Sequence, residues 1–372
     1  MEFNSLLQLM CDKKASDLFI SGGIPPSMKI NGKVSPISSA HFTAEQAKKL
    51  IYKVMSPAQK RQFERHNEAN FAISPDNFGR FRVNVYRHQN QVGMVLRRIE
   101  THIPSIDELH LPKMFGEIAM YRHGLVLIVG ATGSGKSSTL AAMINHRNKL
   151  SNGHIISIED PIEYVHEPQN CIVTQREVGI DTDSFEIGLK NALRQAPDVI
   201  VIGEIRSKAT LTQAMQFAET GHLCIATMHA SNSNQVFDRI MRFFPDDQRN
   251  QVSLDLSLSL KAIIAQRLVP TKDEKGRRVA IECLLNTALV AKHILNNEIY
   301  NISDVVGKSN QVGMKTFDQS LFELYQSGDI SYDEALKGAD SRNELRLRIK
   351  LSQQHDPESR AMQNITLVGN DL

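Results

Sequence analysis

Gly130-Ala131-Thr132-Gly133-Ser134-Gly135-Lys136-Ser137 follows directly on the apolar run Leu125-Val126-Leu127-Ile128-Val129 and leads into Ser138-Thr139-Leu140-Ala141-Ala142-Met143. The run has the length and content of a buried strand, and the segment after it reads as a helix. A glycine-rich turn between the two is the arrangement that closes around phosphate. Its backbone N–H groups converge on an anion, and the helix N-terminus adds partial positive charge. Residues 130–138 therefore predict a nucleoside triphosphate site, with Lys136 reaching the β- and γ-phosphates and the Ser137 hydroxyl holding Mg²⁺. A glycine-rich turn with a chance lysine would not also place strand, loop and helix where the motif needs them.

The rest of the 372-residue chain sets the frame. Such a length suggests two domains. With 43 basic and 41 acidic residues the net charge is +2, which argues against a surface built for nucleic acid. No apolar stretch nears the roughly 20 residues that span a bilayer, and Met1-Glu2-Phe3-Asn4-Ser5 lacks the basic start of a secretory signal. Cys11, Cys171, Cys224 and Cys283 are far apart and form no Cys-x-x-Cys pair. The expectation is a soluble cytosolic protein with free thiols.

Residues 1–99 read as a mixed α/β domain without a nucleotide motif. A helical stretch at 3–13 precedes a short strand at 17–20 and an Asn31-Gly32 hairpin. Thr43 with Gln46 marks a capping box, and Ser56-Pro57 starts another helix. Residues 80–86 and 92–99 alternate as two strands. Residues 100–113, with Pro104 and Pro112, read as a linker. From 114 to 350 strands and helices alternate: strands at 125–129, 155–158, 198–202 and 223–227, helices at 137–149, 184–195 and 207–219. That order predicts a mostly parallel sheet covered by helices. Beyond residue 233 the pattern turns largely helical, with capping boxes at Thr316/Gln319 and Ser331/Glu334. Residues 351–372 read as a disordered tail.

Candidate chemistry falls at strand ends. Asp198-Val199-Ile200-Val201-Ile202-Gly203-Glu204 is an apolar strand closing on a carboxylate, and Glu204 is the candidate to polarise the attacking water and serve the metal. Ile158-Glu159-Asp160-Pro161-Ile162-Glu163 puts three carboxylates past another strand end, with Glu163 the first choice and Glu159 the second for orienting water. A solvated acidic turn is the plain alternative. His229 falls at the carboxyl end of the strand beginning at Leu223, where it could touch the γ-phosphate. His222 begins that strand on the far side. If 80–86 and 92–99 pair about Gln89-Asn90, Arg82 lies opposite Arg97 and the two like charges call for an anion between them. A phosphate clamp acting on a neighbour's nucleotide is one answer; two splayed surface arginines are the other.

Taken together these blocks resemble the secretion ATPases that drive type IV pili and type II secretion. The resemblance runs to about residue 350. The family's Walker A matches 130–137, its aspartate box 158–166, its Walker B 198–206, its histidine box 220–230, and its paired arginine strands Arg82 and Arg97. The short first domain and the missing Cys-x-x-Cys insertion resemble the retraction branch, the PilT/PilU family. In place of that branch's paired-arginine helix the chain has Asn286-Thr287-Ala288-Leu289-Val290-Ala291-Lys292-His293-Ile294, and it ends in Leu345-Arg346-Leu347-Arg348-Ile349-Lys350 plus a tail, which is nearer the PilU side.

The resemblance implies a PAS-like N-terminal α/β domain and a RecA-like P-loop ATPase domain with a helical C-terminal region. It implies ATP and Mg²⁺, a homo-hexamer with catalysis at subunit interfaces, and a place at the cytoplasmic base of the pilus machine, peripheral to the inner membrane. The implied partners are the inner-membrane platform protein of the pilus and a PilT-type paralogue ATPase, with no nucleic acid. Glu204, Glu163, His229, Arg82 and Arg97 would be catalytic. Three rivals stand beside this reading: a regulatory ring that binds ATP with little hydrolysis, a nucleic-acid translocase, and a small-molecule kinase.

Overall fold

The structure is a computed structural model that describes residues 2–354 other than 31, 100, 101 and 310–312. The chain divides into two units. One comprises Met1–Ile103 with the short segments Ile162–Val165 and Gly179–Asp181; the other comprises Pro104–Pro161, His166–Val178 and the remainder from Thr182.

The first unit runs α1 (Phe3–Asp12), β1 (Asp17–Ser21), β2 (Ser27–Ile30), β3 (Lys33–Pro36), α2 (Ala44–Val54), α3 (Pro57–His66), β4 (Glu68–Ile73), β5 (Phe81–His88) and β6 (Gln91–Arg98). Its antiparallel sheet has the order β3-β2-β1-β6-β5-β4. Period-two alternation decides which face is covered. Leu18 and Ile20, Phe81, Val83 and Val85, and Val92, Met94 and Leu96 are buried with Leu6, Leu7 and Met10 of α1 and Ala47 and Ile51 of α2. The expected capping box forms at Thr43/Gln46, and the helix expected to start at Ser56-Pro57 carries a second one, Ser56/Gln59. Asn31 of the β2–β3 turn lies outside the described residues.

The second unit runs α4 (Met114–Ala119), β7 (Gly124–Gly130), α5 (Lys136–Leu150), β8 (Gly153–Glu159), β9 (Cys171–Glu177), α6 (Phe185–Ala192), β10 (Val199–Ile202), α7 (Lys208–Glu219), β11 (Leu223–Met228), α8 (Ser233–Arg242), α9 (Asp246–Ser259), β12 (Leu260–Pro270), β13 (Arg277–Leu285), α10 (Ala288–Leu295), α11 (Ile302–Lys308), α12 (Phe317–Gln326), α13 (Tyr332–Gly338) and α14 (Arg342–Gln354). The seven strands lie in the order β13-β12-β7-β11-β10-β8-β9. All neighbours are parallel except the β12–β13 hairpin. Every residue of β7, β10 and β11 is buried, as expected of parallel strands covered on both faces.

Two features beyond residue 233 differ from the expected pattern. Residues 260–285, read as part of a helical region, form the antiparallel hairpin at one edge of the second sheet. Leu260–Pro270 is a nearly continuous apolar run, and such a run carries no periodicity to separate buried strand from buried helix. The second concerns the tail: α14 continues through Gln354, so 351–354 are helical, and the rest of the expected tail, 355–372, lies outside the described residues. The capping box at Thr316/Gln319 is complete, whereas Ser331 accepts from the Glu334 N–H without the reciprocal bond.

Candidate functional site

The phosphate loop is shaped by close packing. A Cβ on Gly130 would meet Ser134 Oγ at 2.3 Å and the Gln266 carbonyl at 2.7 Å, so only glycine fits between the loop and β12. Gly133 and Gly135 hold φ of 78° and 90°, values that side chains disfavour. Gly135 is also the N-cap of α5 and supplies no side-chain bond to its first turn, a helix end of the kind that attracts an anion. Ser134 Oγ is buried and has no hydrogen-bond partner among the described residues. Lys136 Nζ donates to the carbonyls of Gly130 and Ala131, both at 2.9 Å, and so lies within the loop. Ala131, Thr132 and Gly133 are exposed at its rim; Ser137 and Ser138 are half-buried in the first turn of α5.

The carboxyl ends of β10 and β11 adjoin this loop through the β7–β11 and β10–β11 pairings. Gly203 follows β10, and its amide donates to Ile158 O at 2.8 Å. A Cβ there would stand 3.0 Å from Glu159 Cα, so glycine allows the ends of β8 and β10 to approach. Ile205 N–H donates to Thr227 O at 2.8 Å, and Thr227 Oγ1 donates to Gly203 O. This fixes the backbone on both sides of Glu204.

The Glu204 side chain is 15% exposed. Its Oε1 lies 3.2 Å from His229 Nε2 and its Oε2 2.7 Å from Arg206 Nη2. Arg206 Nη1 is 3.7 Å from Asp160 Oδ2. The hydrogen bond that Arg206 donates to the Glu204 carboxylate pushes the guanidinium pKa up from its ordinary value. Glu159, at the end of β8, accepts at one oxygen from Ser157 Oγ at 2.7 Å and from Gln175 Nε2 at 3.0 Å. Glu159, Asp160, Glu204, Arg206 and His229 thus gather at the strand ends where ligands of open α/β sheets bind.

The other expected residues are carried by other elements. Glu163 is exposed and belongs to a segment grouped with the first unit. His222 precedes β11, and its Nδ1 is 3.1 Å from Thr220 Oγ1. Seven residues of extended chain put it roughly 20 Å from His229. Arg82 pairs directly with Arg97 across β5 and β6. Arg97 Nε donates to Asp17 Oδ1 at 2.7 Å, so the anion that relieves one arginine comes from β1 of the same sheet. Arg82 makes no ion pair among the described residues.

Three residues were not singled out by the sequence. Arg206 stands two places after Glu204, so alternation could have flagged it. Gln266 is a polar residue inside the apolar run of β12. It is 1% exposed, and its Nε2 donates to Thr139 Oγ1 of α5 at 2.8 Å. Arg239 of α8 donates to His229 O at 2.8 Å, a contact with no local signature.

Comparison with known proteins agrees with this geometry. A sequence model of the Type II/IV secretion system protein family matches residues 3–326. The chain is 57% identical to the "Type IV pilus ATPase PilU" of Pseudomonas aeruginosa, over 96% of this chain and 94% of that protein. It is 36% identical to the PilT retraction ATPase of the same organism, over 91% of this chain and 98% of PilT. Among solved structures, the pilus retraction motor PilT with bound ADP superposes with a TM-score of 0.87 at 36% identity, covering 93% of this chain and 99% of that one. The chain belongs to the Type II/IV secretion system protein family, in its PilT/PilU branch.

Proposed function

We propose that the chain is an ATP-hydrolysing subunit of a ring motor that powers or assists type IV pilus retraction. The observation that carries this reading is the meeting of Glu204 and His229, at the ends of neighbouring strands, beside a complete phosphate loop. Residues 130–138 cradle the phosphates of ATP, and Lys136 exchanges its loop carbonyls for phosphate oxygens. Glu204 accepts a proton from, or orients, the attacking water, and His229 holds the carboxylate in place. Mg²⁺, when bound, offsets phosphate charge. The hard oxygens of Ser137 and Glu204 suit it, since this ion needs few protein ligands when phosphates and waters supply the rest.

Arg82 and Arg97 serve the nucleotide of a neighbouring subunit in a homo-hexamer, and Glu163 assists in preparing water. The ring works at the cytoplasmic face of the inner membrane, on the platform protein of the pilus and beside a PilT-type paralogue. No helix among the described residues is long and apolar enough to cross a membrane.

Steady-state ATP turnover with two variants tests the reading. Lys136→Ala should lose nucleotide binding and turnover together. Glu204→Gln should keep binding and lose turnover by roughly 10²- to 10⁴-fold. Full turnover in Glu204→Gln would move the chemistry to another residue.

A further inference from the structure

The turn that carries His229 is anchored from the edge of the sheet. Glu282 lies on β13, which is separated from β11 by β12 and β7. The residue is 7% exposed. Its Oε1 accepts the backbone N–H of Ser233 at 2.7 Å and also the Ser233 hydroxyl. Ser233 is the first residue of α8, where N–H groups lack intrahelical acceptors and negative charge is favoured. A buried carboxylate costs several kcal/mol unless its lone pairs are met. The start of α8 is what meets them here, while Arg267 supplies nearby positive charge and Asp340 opposes it.

From that anchor, α8 reaches back over the turn. Arg239 donates to His229 O at 2.8 Å. Gln235 Oε1 accepts the Ser231 N–H at 3.0 Å, and Asn232 Oδ1 accepts the Gln235 N–H at 3.0 Å. The span from His229 to Ser233 is therefore pinned at 229, 231 and 233, and the last pin comes from another strand.

We propose that Glu282 is a positioning residue for ATP hydrolysis: by anchoring the first residue of α8 it sets the reach of His229 to Glu204. It acts through His229 and not on the nucleotide, so the inference rests on the role given to His229 above. The phosphate loop is formed by β7, α5 and β12, and the Glu282 side chain bonds to Ser233 of α8, outside that loop. Removing Glu282 should therefore lower kcat and leave nucleotide affinity alone.

The test is a double-mutant cycle on the full-length protein, with ATP turnover and binding of a fluorescent ATP analogue as readouts. Glu282→Ala should lower kcat roughly 10- to 100-fold, the scale of a misplaced catalytic group, with the analogue's Kd changed by less than about twofold. Glu282→Gln keeps the accepting Oε1 and should recover most of the rate. In a His229→Ala background, Glu282→Ala should cost nothing further, because both changes remove one interaction. Should Glu282→Ala fail to fold, Ser233→Ala takes its place: it removes the hydroxyl bond and keeps the backbone N–H bond, so a smaller loss is expected in the wild type and none in His229→Ala. An equal loss in both backgrounds, or undiminished kcat in the folded variant, overturns the proposal. If His229→Ala itself leaves turnover unchanged, the role of His229 falls first and this inference with it.

Discussion

A methyl group at residue 130 is the smallest change that tests the phosphate loop. Gly130→Ala drives a Cβ against Ser134 Oγ and the Gln266 carbonyl. The second of these is backbone and cannot swing away, so the loop or β12 must move. We expect a loss of about 2 kcal/mol or more, typical of overpacking, together with weakened nucleotide binding. Gly133→Ala is the control: it has a positive φ but no atom within 4 Å of the added Cβ, so its cost should stay near 1 kcal/mol. Thermal midpoints of the two variants, measured without nucleotide, check the order; equal midpoints would mean the loop relaxes freely. At this scale legibility followed locality. Lys136, Glu204 and His229 were readable because a strand end next to a motif places a side chain whatever its neighbours are. Gln266, Arg239 and Glu282 were not, because their partners are set by which strands lie side by side.

Elements were legible where their patterns were strong, and least so at the edges of the second sheet. The central strands announce themselves as short apolar runs between turns. β9, Cys171–Glu177, is an edge strand with a polar, half-exposed sequence that lacks clear alternation, and it was not foreseen. Yet it supports the site: Gln175 donates to Glu159 and accepts the His166 N–H at 2.7 Å. His166 is itself a stability element. Its Nδ1 is buried with no hydrogen-bond partner among the described residues, and burial pushes its pKa down to about 4. Between that value and the ordinary histidine range near 6.5, the unfolded chain binds a proton that the folded one refuses. The stability is therefore complete above about pH 6.5 and is lost as pH falls toward 4, by up to about 3 kcal/mol. Thermal midpoints from pH 7 to 5 should fall in the wild type and fall less in His166→Asn. Parallel curves would show that other groups govern acid unfolding.

At the scale of the whole molecule, the question is where the β5–β6 arginines act. The sheet lines up Lys29, Asp17, Arg97 and Arg82 across four neighbouring strands, on the face opposite the buried row of Val83 and Leu96. Asp17 is buried and bonded to Arg97, so Arg97→Ala should destabilise the first unit by taking the bonded cation from a buried carboxylate and leaving it the Ser16 hydroxyl as a donor. Arg82 has no such internal duty, which makes it the cleaner probe of action on a neighbour. If each nucleotide is served by an arginine from the next subunit, Arg82→Ala and Glu204→Ala homomers are both inactive for complementary reasons. Mixed in equal amounts, a head-to-tail ring regains about one interface in four that carries both native residues. Turnover should then rise toward roughly a quarter of the wild-type rate if interfaces work independently, and less if the ring must fire in sequence. Mixing either variant with Lys136→Ala extends the logic, since Lys136 and Glu204 serve the same nucleotide. Arg82→Ala should be rescued by both partners, whereas Glu204→Ala with Lys136→Ala should stay inactive. No recovery in the first mixture at any ratio would place Arg82 on the nucleotide of its own chain or on none, whereas recovery in the last would mean that Lys136 and Glu204 serve different nucleotides.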